Sequence, residues 1–246
     1  MTPKAVLTSL YLAVTTCGLL SSPQSNAEPA LRLFTARYQV KFHGLNGGTL
    51  ELTLKKGDEP GRYLYTSGAK PSALASFFVS SDAHETSAIE LTATGIRPLK
   101  FVSEDGKKGD AKDSALNFDW NRQRLSGRAE GKDIDLELAA RTQDHLSIQI
   151  AVIWDLLQDH EPGVYPLIDG DKIKEYEYLK DSTATVKYGG RDLEAVMIRS
   201  ARTGGSDRIT RYWHAPELGY LPVRAERTTK GEVDLVMQLV DLKFAD

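Results

Sequence analysis

The sequence of 246 residues holds a single cysteine, Cys17, and that one lies in an apolar stretch near the start. If that stretch is removed on export, no thiol remains, so neither a disulfide framework nor a thiolate centre is available and the chain folds on its core alone. Histidine is scarce as well: there are five, and none stands four residues from another, the spacing that brings two metal ligands together on a helix. His84-Glu85 begins like a zinc-protease motif, but Ala88 occupies the place of the second ligand, so the pair reads as polar residues at a strand edge. No metal site and no cofactor are expected. A basic excess is also missing, since 31 Lys and Arg stand against 34 Asp and Glu for a net charge of −3. Without an electrostatic footprint for phosphate backbones, nucleic acid is not the expected partner.

The sequence further lacks an uninterrupted apolar run of the roughly 20 residues that a spanning helix needs. Residues 5–20 are apolar but diluted by serine and threonine, preceded by Lys4 and followed by Ser21 to Ala27 with small residues at Ser25 and Ala27. One positive charge, an apolar middle and a small-residue end are the three parts of a secretory signal, with cleavage expected after Ala27. Removal takes only Lys4 among the charged residues. A retained anchor is an alternative, and lipidation at Cys17 is another. Val14-Thr-Thr-Cys17 argues against lipidation because it lacks the usual small residue before the cysteine. No stable transmembrane segment is expected after cleavage, and residues 28–246 are long enough for one sizeable core in one domain.

What is abundant beyond residue 27 is strict alternation of apolar and polar residues, the period of a half-buried strand. Ala36, Tyr38, Val40 and Phe42 alternate with Arg37, Gln39 and Lys41, and Leu50, Leu52 and Leu54 alternate with Glu51 and Thr53. Between them, His43 to Gly48 supplies glycine and asparagine for a tight reversal, a hairpin signal. Similar runs at 63–67, 85–93, 99–103, 115–120, 133–138, 174–179, 183–187, 193–200, 208–214, 223–227 and 233–244 are separated by turn chemistry, including Ser126-Gly127 and Gly204-Gly205. About a dozen short strands with hairpin-length links predict an all-β sandwich, barrel or curled antiparallel sheet.

Two stretches depart from that period. Leu146, Ile150, Ile153 and Leu157 recur at three or four, predicting one substantial helix over 142–157 with Asp144 at its positive end. It should lie across the sheet or plug one end. Residues 72–78 are a shorter candidate, which would turn Leu74 and Phe77 or Phe78 toward the core.

The chemistries that nearby residues suggest do not assemble. Asp144, His145 and Ser147 are one and two apart on a helix and do not face one another, and no nucleophile elbow supports a triad. Ile168 to Asp171 lacks the further acidic ligands of a calcium loop and reads as a turn. Glu175 and Glu177 share a strand face, which fits an exposed charged surface. A carboxylate pair acting as a hydrolase on a cell-wall glycan stays open as an alternative, since sequence alone selects no pair. The aromatic residues suggest something else: in a curled sheet they could line a cavity for a lipid-like ligand. The candidate lining residues are Trp120, Trp154, Tyr176, Tyr178 and Trp213, with Arg211 or Arg224 for a polar head group.

Several segments also resemble a known family. Tyr38-Gln-Val-Lys-Phe42 with Gly48-Thr-Leu-Glu-Leu52, Asp144-His-Leu-Ser147, the 186–198 hairpin, and Arg208-Ile-Thr-Arg-Tyr-Trp-His-Ala-Pro-Glu-Leu-Gly-Tyr-Leu-Pro-Val-Arg224 are similar to the domain of unknown function 3108 family of exported bacterial proteins. The resemblance implies a mainly β periplasmic protein, its antiparallel sheet curled into an open barrel or β-spiral with the helix packed against it. In outline it is similar to the carriers that shuttle lipoproteins between bacterial membranes. It brings no catalytic residues. The favoured expectation is a non-enzymatic envelope protein that binds a hydrophobic ligand or a protein partner, and a structural module for envelope assembly is the alternative.

Overall fold

A computed structural model describes residues 30–245, apart from 78, 108, 110 and 111. The segment expected to be a secretory signal, with Cys17, lies outside the described residues. Fourteen strands form one antiparallel sheet: β1 (Phe34–Phe42), β2 (Leu45–Lys56), β3 (Arg62–Pro71), β4 (His84–Thr92), β5 (Gly95–Glu104), β6 (Ser114–Asp119), β7 (Arg124–Ala129), β8 (Lys132–Glu137), β9 (Gly163–Asp169), β10 (Lys172–Tyr188), β11 (Arg191–Arg202), β12 (Arg208–Ala215), β13 (Leu221–Thr229) and β14 (Glu232–Phe244). Their order is β8 to β1 followed by β14 to β9, so the chain runs out to one edge as a meander, crosses, and returns from the other. The crossing carries helix α1 (Ser147–Leu157). The fold is the mainly β curled sheet with one helix that the sequence predicts.

The two halves join where β1 pairs with β14. Phe34, Ala36, Tyr38, Val40 and Phe42 share the inner face of β1, opposite Phe244, Leu242, Leu239, Met237 and Leu235. Leu239 and Leu242 are three apart, so a regular strand could not turn both inward. A bulge at Val240 absorbs the extra residue, leaving Val240 half exposed while Leu239 and Leu242 both face the core.

Helix α1 is apolar over most of its circumference, interrupted at Gln149 and Asp155, the signature of a largely buried helix. Ile148, Ile150, Ala151, Val152, Ile153 and Leu156 are buried. Ile150 and Ile153 share one contact region with Phe34, Leu54, Leu221 and Phe244 from both halves of the sheet, around a residual void of about 10 Å³. The helix therefore fills one end of the barrel. Its start is set by Asp144, fully buried, whose Oδ1 accepts the Leu146 and Ser147 N–H groups at 2.8 and 2.7 Å while Ser87 Oγ donates to Oδ2 at 2.6 Å. Residues 142–146, expected as helix, instead lead into it. Gln143 bridges in parallel to the β9 edge, its N–H donating to Pro166 O and its carbonyl accepting from Ile168 N–H.

The sheet does not close. Edge strands β8 and β9 are linked at one rim by Lys132 and Asp171, 2.7 Å apart. Strand β9 was hidden in the sequence by Pro166, which is tolerated because the strand is at an edge. The two runs 174–179 and 183–187 are one strand, β10, bulged near Asp181. Gly127 is no turn: it lies in β7 opposite Leu116, where an added Cβ would come within 2.1 Å of Ala115 O.

Candidate functional site

The alternating strands place the hairpin turns at two rims. At the rim nearest Phe34 the inner face is covered by Leu31, Leu218 and Phe244 around α1. At the other rim the same face emerges. Along β1 the inward side chains pass from buried Phe34, Ala36 and Tyr38 to half-buried Val40 and then Phe42, 49 % exposed.

There an apolar cleft of about 480 Å³ opens, lined by Val40, Phe42 and Leu45 of the first hairpin, Leu235 of β14, and Leu74 and Val79 of the connection between β3 and β4. Its size falls in the range of small-molecule sites. Large apolar side chains gathered at a solvent-facing opening mark an interaction site more than scattered exposed ones do.

Hydrogen bonds fasten the connection against the hairpin. Ser72 Oγ donates to Asn46 O at 2.7 Å and Ser72 N–H to Gly47 O at 3.2 Å. Asn46 Oδ1 in turn accepts from Gln39 Nε2 and from Gly48 N–H. Gly48 has a φ of +109°, and a Cβ there would meet Lys70 O at 2.2 Å, so only glycine lets the two segments approach this closely. The helix expected over 72–78 is reduced to a 3₁₀ turn, Ala75–Phe77, because one turn cannot repay the cost of helix nucleation. Leu74 and Phe77, expected in the core, are 58 % and 80 % exposed, and Leu74 instead forms one wall of the cleft. Phe78 lies outside the described residues.

The seven residues singled out from the sequence are not gathered into one cavity. Trp120 donates from Nε1 to Pro98 O at 2.7 Å and stacks on Phe118. Trp154, half-buried on α1, sits against Gly95. Tyr178 is buried edge-on to Tyr165, and Tyr176 donates its hydroxyl to Asp169 Oδ2 at 3.1 Å on the same face of β10. Arg211 and Trp213 take the face of β12 opposite to Thr210 and Tyr212. Trp213 pairs across strands with Arg224, whose guanidinium lies 5.8 Å from the indole centre and bonds to Glu226. None of the seven lines the apolar cleft. Its lining residues Val40 and Phe42 were legible as an apolar strand face, but their emergence at a rim was not.

The polar groups near the helix start do structural work. Asp144, His145 and Ser147 form no triad: Ser147 Oγ accepts from the Asp144 N–H, and His145 points to the exposed side. Glu85, half-buried on the inner face of β4, hydrogen-bonds Ser103 Oγ at 3.4 Å. Burial pushes its carboxyl above the ordinary range and Asp144 adds to this, while His145 and Ser103 pull the other way. Of this pair of carboxylates, Asp144 is committed to the helix start and Ser87.

Similarity to solved structures supports the architecture. A beta-barrel-like protein of the domain of unknown function DUF1849 from Brucella abortus matches with a TM-score of 0.56 at 12 % identity, covering 88 % of this chain and 99 % of that one. A domain described as that of an outer membrane lipoprotein-sorting protein from Vibrio parahaemolyticus matches at 11 % identity over 86 % and 84 % of the two chains, with a TM-score of 0.25, which carries no argument. No curated protein matches the sequence. A family model does, over residues 37–239, and the chain therefore belongs to the family described as protein of unknown function (DUF3108).

Proposed function

We propose that this is a non-enzymatic binding protein of the bacterial envelope, periplasmic once residues 1–27 are removed, which holds the hydrocarbon part of a lipid-like ligand in the rim cleft. The observation that carries the reading is the cleft itself: six large apolar side chains face solvent at an opening where the inner face of the sheet emerges. Leaving such a surface bare costs about 25 cal/mol for each Å² of apolar area, so a hydrocarbon chain is the natural occupant. The half-open sheet, with one end filled by α1, gives a rigid frame around it. A protein partner that inserts an apolar segment beside Phe77 is the alternative reading, resting on the exposure of that residue.

Titration with an uncharged apolar fluorophore such as N-phenyl-1-naphthylamine tests the site. Saturable binding should weaken at least about tenfold in Leu45→Glu and Leu74→Glu, because a carboxylate resists desolvation by an apolar ligand. Both positions are exposed, so the fold should be retained. Unchanged binding in both variants would overturn the assignment of the cleft.

A further inference from the structure

The rim that carries the apolar cleft also carries a second concavity, of about 690 Å³, built by β10, the ends of β9, β11, β12 and β13, the turn between β11 and β12, and Lys230 of the turn between β13 and β14. Its character is opposite. Arg202, Arg208 and Lys230 converge on it, together with the Tyr176 hydroxyl and Thr210. Among the described residues, none of these three cations has a carboxylate within ion-pairing distance, although the nearby Lys174, Arg199 and Arg227 each do. The nearby Asp169 is already neutralised by Lys174 at 2.7 Å and accepts from Tyr176, which leaves Asp207 as the opposing charge. The pocket thus carries a net positive charge and hydroxyl donors, with Gly204 and Gly205 keeping its wall free of side chains.

Strand register ties the two features together. Phe42, Leu235, Arg227, Thr210, Ser200 and Tyr178 form one cross-strand row over six neighbouring strands. Directly opposed residues point to the same face, and buried Tyr178 identifies it as the inner one. The row leads from the apolar cleft, at Phe42 and Leu235, into the cationic pocket, at Thr210 and Ser200. Leu235 and Thr210 are two strands apart, about 10 Å at roughly 4.8 Å per strand spacing. Arg202 and Arg208 are two residues further toward the rim on the same face.

We infer that the cationic pocket is the head-group subsite of the cleft, so that the ligand is an amphiphile with a phosphate-class anionic head held by Arg202, Arg208 and Lys230 while its chain lies along Phe42 and Leu235. The inference rests on the hydrocarbon reading of the cleft and goes beyond it by fixing the head-group chemistry. Guanidinium groups suit it because their planar fork matches the oxygens of phosphate.

Calorimetric titration of the purified protein with monododecyl phosphate, with uncharged dodecyl maltoside, both below micelle formation, and with inorganic phosphate tests it. Monododecyl phosphate should bind at least about tenfold more tightly than the maltoside, from charge-assisted hydrogen bonds. That preference should collapse in R202Q/R208Q while maltoside affinity stays unchanged, and added salt should reduce it. Equal affinity for the two amphiphiles, or a preference that survives R202Q/R208Q, overturns the inference and leaves the cleft reading standing. Inorganic phosphate binding as tightly as the dodecyl ester, and lost in R202Q/R208Q, marks a free-anion pocket and overturns its coupling to the cleft. Failure of both amphiphiles to bind the wild type overturns the cleft reading, and the coupled subsite with it.

Discussion

Leu235 on β14 and Arg227 on β13 are cross-strand partners, and the border between an apolar and a cationic half of the rim passes between them. Leu235 looks into the cleft, whereas Arg227 Nε donates to buried Asp234 at 2.9 Å and holds that carboxyl below its ordinary range. A bulge between Arg227 and Thr228 lets Asp234 turn back under the rim instead of continuing the apolar row. One irregularity in one hairpin therefore brings hydrocarbon and charge side by side.

The two glycines of the β7 hairpin should answer differently to alanine. Gly127 has a φ of +140° and its Cβ would overlap Ala115 O at 2.1 Å, whereas Gly131 has a φ of +78° with open space around it. Gly131→Ala should cost about 1 kcal/mol, the strain of a left-handed L-residue. Gly127→Ala should cost at least about 3 kcal/mol, because backbone must move as well. Urea denaturation of both variants checks the order, and equal losses would show that β6 and β7 are not packed this closely.

Glu85 should destabilise the fold at neutral pH. Its folded-state pKa is raised, so the ionised form is disfavoured in the native state, and the penalty is present above that raised value and absent below the unfolded value of about 4.5. Glu85→Gln, which imitates the protonated acid, should be more stable than wild type at pH 7.5. The gain should disappear near pH 4. Chemical denaturation at the two pH values measures it, and a gain that does not depend on pH would assign the effect to packing.

His214 acts in the opposite direction. It is 3 % exposed, its Nδ1–H donates to Tyr220 O at 2.7 Å, and Nε2 has no hydrogen-bond partner among the described residues. Burial pushes its pKa down from 6.5 to about 4. Below pH 6.5 the unfolded chain takes up a proton that the native chain refuses, so stability should fall by up to roughly 3 kcal/mol as pH drops toward 4. In His214→Gln this part of the profile should flatten. A flat profile between pH 6.5 and 4 in Glu85→Gln, where His214 is intact, would contradict a neutral buried imidazole.

Most strands were legible because alternation alone reports a sheet with one wet face, and α1 because its apolar residues recur at three and four. Less was legible where long-range geometry decides. Gly127 reads locally as a turn and is a strand residue at a close approach, and Pro166 conceals an edge strand that shows only in its pairing with β10. The cleft escaped for a related reason. Val40 and Phe42 look like core residues and Leu45 like part of a turn, and nothing in the local pattern says that the strand rises past the end of the plugging helix. Likewise Arg202 and Arg208 look like solvated residues on either side of the Gly204-Gly205 turn until the register of β10, β11 and β12 sets them on one inner face.

Whether the cleft holds an amphiphile is decided by native mass spectrometry. The protein should be purified without detergent from a periplasmic extract and weighed before and after denaturation, beside a Leu45→Glu/Leu74→Glu variant prepared in the same way. The wild type should carry a stoichiometric small amphiphile, lost on denaturation and missing from the variant. A bare polypeptide mass for the wild type, or the same adduct on both proteins, would contradict it.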